Sequence, residues 1–197
     1  NRIFFVGNVM IDTLLTNRSR FKKPTLWDKY DLEEKSYFLI TLHRPANVDE
    51  GKKLKYHLKE ILANVQGLPV IFPIHPRTEK IFNELGIDEP NLIITAPLGY
   101  LEFNYLVERA KGVLTDSGGI TEETTIMGVP CFTLRDNTER PETIEIGTNE
   151  LIGTNPDAIK PALEKLFAGK WKKGTIPELW DGRSAERIVE SLIKIFR

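Results

Sequence analysis

Short apolar runs alternate along the chain with segments of helical periodicity. The runs are nearly continuous and rich in branched side chains, which is typical of strands in a parallel sheet covered on both faces. They lie at residues 37–42, 70–74, 92–95, 113–115 and 130–134, with a weaker run at 151–152. This alternation predicts a doubly wound α/β domain with a parallel sheet of about six strands.

Amphipathic segments fill the gaps between the apolar runs. Apolar residues recur at helical spacing in residues 54–65, 103–110 and 159–167, and more weakly in residues 77–85. Gly67 and Pro69 end the first pattern, and Gly112 follows the second. Pro161 is compatible with the third helix only in its first turn.

The two ends of the chain have a different character. Residues 3–6 form a strand-like run, whereas residues 17–30 are polar and irregular, as in a linker. The last helix carries an apolar stripe, including Ile188 and Leu192, that must be buried against another surface. We therefore expect a piece of a longer protein in three parts, namely residues 1–30 as the end of a first domain and linker, 31–180 as the main domain, and 181–197 as a C-terminal helix that docks on this domain or on the first domain. We expect the apolar stripe of this helix to be incompletely covered within this chain, or covered by a neighbouring copy.

Composition narrows the class of protein. Of the 197 residues, 41% are hydrophobic and 28% are charged, which is ordinary for a globular protein, and the net charge is −1. This charge does not favour nucleic-acid or membrane-surface binding. No apolar stretch approaches the ~20 residues of a membrane span, and no signal peptide is visible, so we expect a cytoplasmic protein. Cys131, the single cysteine, is expected in the core.

Polar residues follow the predicted strands, where ligands bind in such sheets. His43 and Arg44 follow the first run, His75 follows the second, and the segment 135–142, dense in both charges, follows the fifth. The third histidine, His57, lies within a helical pattern and is expected on the surface.

The fourth apolar run leads into Asp116-Ser117-Gly118-Gly119 and then a helix. A turn without bulky side chains lets a ligand reach the free N–H groups at a helix start, where the helix dipole favours negative charge. Ser117 has a simpler role available as a helix N-cap. A cap does not require two following glycines, however, whereas a closely approaching phosphate does.

Other interpretations stay open for several of these residues. His43 and His75 have structural roles available, and Arg135 and Arg140 have acidic neighbours to pair with. The cluster 170–173 is typical of a solvated helix end, with anion binding as the alternative. Neither histidine has metal-ligand spacing, so we expect no metal. The absence of Gly-x-Gly-x-x-Gly and Gly-Lys-Ser/Thr motifs disfavours Rossmann dinucleotide binding and P-loop hydrolysis.

Taken together, the motifs strongly resemble the non-hydrolysing UDP-N-acetylglucosamine 2-epimerases. The resemblance rests on residues 116–123 and 128–142, with residues 41–45 and 73–76 matching two further motifs in the same order. It implies the second Rossmann-like half of a glycosyltransferase-B-type two-domain fold, with the active site in the cleft between the halves. The implied reaction inverts carbon 2 of the sugar, through elimination and re-addition of UDP, to give UDP-N-acetylmannosamine without a cofactor.

The resemblance also implies residue roles. Ser117, Gly118 and Gly119 would contact the diphosphate, Glu123 the ribose, and the backbone of residues 97–103 the uracil. His43 and Arg140 would face the phosphates and sugar as supporting catalytic groups. Arg44 and His75 would lie beside the substrate.

Two departures from the family pattern bear on activity. Ala46 stands where the family usually has Glu, and the family's acid and base carboxylates belong to the first domain. We therefore expect a chain that binds UDP weakly and does not epimerise alone. For the full-length protein we expect a homodimer. The alternatives are a glycosyltransferase donor-binding domain and a non-catalytic nucleotide-sugar-binding module.

Overall fold

Six parallel strands form one sheet at the centre of the part of the chain that the structure describes. This computed structural model describes residues 3–48 and 51–196, apart from the side chains of Ala46 and Arg77, so the expectation about Ala46 lies outside it. The strands are β1 (Phe38–Thr41), β2 (Val70–Pro73), β3 (Leu92–Thr95), β4 (Gly112–Thr115), β5 (Cys131–Thr133) and β6 (Asn149–Leu151). Their order across the sheet is β3-β2-β1-β4-β5-β6. The predicted doubly wound sheet is confirmed.

Helices connect the strands and cover both faces of the sheet. They are α1 (Val9–Arg18), α2 (Thr25–Lys29), α3 (Pro45–Val48), α4 (Gly51–Asn64), α5 (Pro76–Glu84), α6 (Tyr100–Arg109), α7 (Gly118–Met127), α8 (Pro141–Glu145), α9 (Ile159–Phe167) and α10 (Ser184–Phe196). The four predicted amphipathic segments are confirmed as α4, α5, α6 and α9. Pro161 lies in the first turn of α9, where its missing N–H costs no helical hydrogen bond.

The apolar runs are continuous because each face of the sheet has its own core. Phe38 and Ile40 face α4 and α9, whereas Leu39 faces the cluster that includes α2 and α6. All three side chains are fully buried. Cys131 is also fully buried, as predicted, and its thiol pKa is raised by burial to about 12.

Two predictions about the N-terminal region are wrong. Residues 3–6 do not form a strand, and Ile3 is 86% exposed. Residues 17–30 are not uniformly irregular, because α1 continues to Arg18 and α2 follows. The reason is an aromatic anchor, since the Trp27 ring meets those of Tyr37 and Tyr105 edge-on at 5.8 and 5.3 Å. Tertiary packing therefore orders a segment whose composition is that of a linker.

Two further residues are buried against expectation. His57 is fully buried in α4, where its Nδ1 lies 3.0 Å from the Lys53 carbonyl oxygen, and burial lowers its pKa. Trp171, in the cluster predicted to be solvated, stacks on Phe132 with ring centroids 4.2 Å apart. Its Nε1 donates to the Thr148 carbonyl at 2.8 Å, so this segment seals the core.

The last helix, α10, is fixed at its N-terminus, whereas apolar side chains along its length are exposed. The Asp12 carboxylate accepts hydrogen bonds from the backbone N–H groups of Ser184 at 3.1 Å and Ala185 at 2.7 Å. Further along, Leu192 and Ile193 are 47% and 46% exposed. The prediction that the apolar stripe is incompletely covered is confirmed. Among the described residues, no helix has the length and apolar character needed to cross a membrane.

Candidate functional site

The sheet has a topological switch point between β1 and β4. From β1 the chain proceeds to β2 and β3 on one side, and from β4 it proceeds to β5 and β6 on the other. The connections therefore leave in opposite directions and open a crevice outside the carboxyl ends of these two strands. His43 follows β1 and Ser117 follows β4, so the switch point brings these two candidate residues to the same crevice.

The N-terminus of α7 lies at this crevice. Ser117 occupies the N-cap position in an extended conformation but makes no side-chain capping hydrogen bond. Its backbone N–H donates to Thr115 Oγ1 at 3.0 Å, and that hydroxyl bonds Thr41 Oγ1 at 2.6 Å. The simple capping role is therefore not observed. The first-turn N–H groups of a helix have no acceptor within it, and here they face the crevice without a capping side chain.

The two glycines are not required by the packing of the protein. A Cβ on Gly118 would lie 3.8 Å from a Glu139 carboxylate oxygen, and one on Gly119 would lie 3.8 Å from the Met10 methyl group. Both are ordinary van der Waals distances, and neither glycine has a positive φ. The open space above the helix start is what a closely approaching ligand needs.

Asp116 organises the loop that follows β1. This carboxylate is fully buried and accepts the backbone N–H groups of His43 at 3.1 Å and Arg44 at 2.9 Å, together with Asn47 Nδ2 at 3.1 Å. His43 Nδ1 lies 2.8 Å from its other oxygen. The imidazole is therefore held by Nδ1, while its side chain remains 55% exposed towards solvent.

The same contacts shift the pKa values of Asp116 and His43. Burial alone would raise the pKa of Asp116, but the hydrogen bonds from His43, Arg44 and Asn47 lower it below its usual value. The hydrogen bond to Asp116 raises the pKa of His43, and partial burial opposes this rise only in part. A protonated His43 at the mouth of the crevice attracts anions.

Arg135 pairs with an acidic neighbour, which is the structural role that the sequence left open for it. Its guanidinium, 6% exposed, bonds both oxygens of Glu139 at 2.8 Å. Arg44 Nη2 lies 3.7 Å from the same carboxylate. These contacts lower the pKa of Glu139 to about 2, with the Arg135 hydrogen bonds as the main cause. Arg44 and the open space above Gly118 thus share the Glu139 carboxylate as a neighbour.

Arg140 pairs with a different acid. Its Nε meets the carboxylate of Glu122, which is 1% exposed and also accepts Asn8 Nδ2 at 2.7 Å. This cluster lines a cavity of about 410 Å³ that Phe5 and Trp180 border. Arg140 therefore lies on the side of α7 that faces the segment before α1.

Glu123 lies one turn into α7 and faces α6. It is 5% exposed and lies 3.5 Å from Asn104 Nδ2. Burial raises its pKa, and the hydrogen bonds from Tyr100 and Asn104 oppose this rise. The carboxylate links the starts of α6 and α7 at the rim of the sheet.

His75 lies at the end of β2, next to β1, and its side chain is exposed. Its carbonyl accepts the N–H groups of Thr78 and Glu79 at the start of α5. The rim of the sheet thus carries His43 and His75 on neighbouring strand ends, with α7 on the other side of His43.

Sequence reasoning missed the supporting roles of Asp116 and Glu122. An acid directly after a buried strand is a detectable signal for Asp116. No local pattern distinguishes the buried Glu122 from its neighbour Glu123, because both pack only in the tertiary structure.

The fold and site define a class of protein, the Rossmann-like α/β domains with a helix N-terminus at the switch point. Over residues 1–193 the sequence matches the family described as UDP-N-acetylglucosamine 2-epimerase. The chain belongs to this family, and its fold is that of the second half of a glycosyltransferase-B-type protein. The resemblance of its motifs is thereby confirmed.

Named relatives support the assignment to this family. The chain is 40% identical to UDP-N-acetylglucosamine 2-epimerase of Methanocaldococcus jannaschii, over 98% of this chain and 55% of the relative. It is 36% identical to UDP-2,3-diacetamido-2,3-dideoxy-D-glucuronate 2-epimerase of Pseudomonas aeruginosa, over 98% of this chain and 53% of the relative. The chain thus spans about half the length of these curated relatives.

Solved structures show the same fold with nucleotide sugars bound. The Methanocaldococcus jannaschii epimerase in complex with UDP-GlcNAc and UDP has a TM-score of 0.81, over 98% of this chain and 55% of that chain. The Neisseria meningitidis epimerase bound to UDP-GlcNAc has a TM-score of 0.84 at 29% identity, over 98% of this chain and 56% of that one.

Proposed function

We propose that this chain is the UDP-binding half of an enzyme that interconverts UDP-N-acetylglucosamine and UDP-N-acetylmannosamine. The observation that carries the proposal is the N-terminus of α7, open above Gly118 and Gly119, with His43 and Arg44 beside it. The membership in the epimerase family and the relatives that bind UDP-GlcNAc support the choice of ligand.

In this proposal the Ser117 side chain and the backbone N–H groups of Gly118 and Gly119 bind the diphosphate, because the Ser117 N–H is already bonded to Thr115. His43, held by Asp116, presents its other ring nitrogen to the ligand, and Arg44 and His75 line the same rim. The buried Glu123 accepts hydroxyls of the ribose in competition with Tyr100. A cavity of about 300 Å³ beside Pro97 and Leu98 has room for the base.

The chemical work of this half is to stabilise the leaving group. Elimination of UDP transfers negative charge to the diphosphate, and preorganised cations and N–H groups stabilise that charge as it develops. His43 and Arg140 are the proposed supporting groups, and no cofactor is needed. The carboxylates that move the proton at carbon 2 are assigned to the first domain.

The domain division is part of the proposal. Residues 1–30 complete the first domain and the linker, residues 31–180 bind the nucleotide sugar, and residues 181–197 dock on the first domain. The exposed stripe of α10 supports this docking. A cytoplasmic location and a homodimer are proposed for the full-length protein.

A calorimetric titration with UDP tests the proposal. Four or five charge-assisted hydrogen bonds contribute about 6–15 kcal/mol gross. The loss of translational and rotational freedom costs about 4–15 kcal/mol. We expect a Kd of about 0.1–1 mM or weaker and no epimerisation by the chain alone. Tight binding or turnover would contradict this expectation, and acceptor-dependent sugar transfer by the full-length protein would favour a glycosyltransferase.

A further inference from the structure

Glu122 is a buried carboxylate without a role in the proposal so far. It follows Gly118 and Gly119 by one turn of α7 and is 1% exposed. A buried carboxylate is unfavourable unless it is paired and hydrogen-bonded. Glu122 meets both conditions, since its Oε1 contacts Arg140 Nε and accepts Asn8 Nδ2 at 2.7 Å.

The contact restrains the orientation of Arg140. Nε is buried and makes no hydrogen bond of good geometry, so its contact with Glu122 is an ion pair. Because a guanidinium is planar, this pairing at its Nε edge restrains the direction of the whole group. Nη1 of Arg140 also donates to the carbonyl of Glu139 at 3.2 Å. The side chain is nevertheless 44% exposed, so part of the restrained group is accessible to solvent.

The segment before α1 is locked to the same pair. While its Nδ2 bonds Glu122, Asn8 uses Oδ1 to accept the Met10 N–H at 2.9 Å and so caps α1. Gly7 has a φ of +101°, and a Cβ there would lie 2.3 Å from the Leu179 carbonyl oxygen. The backbone that presents Asn8 is therefore determined by close packing.

We propose that Glu122 is a positioning residue, which holds Arg140 in the orientation that binds the diphosphate of the nucleotide. This inference rests on the proposed phosphate contact of Arg140. It predicts that loss of Glu122 weakens the binding of a ligand's phosphates and leaves the binding of its nucleoside unchanged.

The test compares UDP with uridine, whose shared nucleoside isolates the diphosphate contribution. Binding to this chain is followed by NMR titration for the wild type, Glu122→Ala, Arg140→Ala and the double variant. We expect Glu122→Ala to weaken UDP about tenfold with uridine unchanged, and to add nothing in the Arg140→Ala background. Glu122→Gln, which keeps an oxygen beside Nε at nearly the same size but removes the charge, should restore only part of the UDP affinity.

Glu150→Ala is the matched control, because Glu150 pairs with Lys165 at 2.6 Å between β6 and α9, away from the crevice. It should leave the preference for UDP over uridine unchanged. Equal losses for UDP and uridine in Glu122→Ala, or a full additional loss in the double variant, would overturn the positioning role. A wild-type chain without preference for UDP over uridine would instead refute the proposed function.

A second measurement covers the case in which Glu122→Ala fails to fold. The Nε–H proton of Arg140 should exchange slowly with solvent in the wild type and in Glu122→Gln, because Nε is buried beside Glu122. Rapid exchange in the wild type would overturn the inference without any destabilising variant.

Discussion

At Asp116, four donors from the loop after β1 meet one buried carboxylate. The backbone N–H groups of His43 and Arg44, the His43 ring and the Asn47 amide all point to it. One side chain therefore sets the conformation of the loop and the charge of its histidine. The orientation and the raised pKa of His43 arise from this contact rather than from its own position on the chain.

Asp116→Asn tests this control of His43. The pKa of His43 should fall from its raised value, because the carboxylate that stabilises the imidazolium is removed. An NMR titration of the ring measures it, and the unfolding free energy should fall by ~2 kcal/mol. Asp136→Asn, in an exposed loop where Asp136 bonds Thr154, is the control. An unchanged His43 pKa in Asp116→Asn would refute the argument.

His57 gives the protein a second pH dependence of opposite sign. Burial lowers its pKa, so the unfolded chain takes up a proton near pH 6.5 that the folded chain resists. This stability is present above pH ~6.5 and declines as the pH falls. The raised pKa of His43 contributes stability that is present below pH ~6.5 and is lost as the pH rises through its folded pKa.

His57→Leu should flatten the acid side of the stability profile, while His43→Ala should flatten the alkaline side. Denaturant unfolding at a series of pH values between about 5 and 8 measures both slopes. At pH 7, His57→Leu should change the unfolding free energy by no more than about 1 kcal/mol, because it also removes a buried ring nitrogen without a partner. An acid slope that persists in His57→Leu would assign it to other groups.

At the scale of the element, α7 combines a structural role with an open end. Its body is buried, with Thr121, Thr124 and Thr125 bonding carbonyls of the preceding turn. Its first two residues carry no side chain into the crevice. The helix is therefore anchored along its length so that its N-terminus remains accessible.

Gly118→Ala and Gly119→Ala test this division. Each should leave stability unchanged or raise it by about 0.5–1 kcal/mol, because the added methyl group fits and the unfolded chain loses freedom. Each should weaken UDP about tenfold, since the methyl group occupies the space of the ligand. Thermal unfolding and calorimetry measure the two effects.

Gly112→Ala provides the opposite pattern as a control. A Cβ there would lie 3.1 Å from the rings of Phe38 and Phe132, so stability should fall by ~1–3 kcal/mol. The preference for UDP over uridine should remain. Unchanged UDP binding in both Gly118→Ala and Gly119→Ala would place the phosphates elsewhere.

At the scale of the whole molecule, the apolar surface is distributed unevenly. The two faces of the sheet are sealed by their own cores, whereas α10 and the segment before α1 expose large apolar side chains. Ile3, Phe5, Leu192 and Phe196 are among them. This surface is where the proposed first domain would pack.

Leu192→Glu combined with Ile193→Glu tests that packing. In this chain the change should alter the unfolding free energy by less than about 0.5 kcal/mol, because both side chains are half exposed. In the full-length protein it should cost ~2–4 kcal/mol through lost apolar burial. Glu190→Gln on the same helix is the control. An equal loss of stability in both proteins would contradict the proposed docking.

The sequence by itself determined the order of strands and helices, the buried Cys131, the strand ends that carry polar residues, and the family. These features depend on local periodicity and on motifs of adjacent residues. Only the tertiary structure decided the burial of His57 and Trp171, the anchoring of α2 through Trp27, and the partner of Arg140. Each of these depends on contacts between elements, where one face of a helix meets a surface that no local pattern describes. Two adjacent glycines in the sequence indicated the accessible start of α7. The positions of the buried carboxylates of Asp116 and Glu122, which pair with His43 and Arg140, depend on packing between elements.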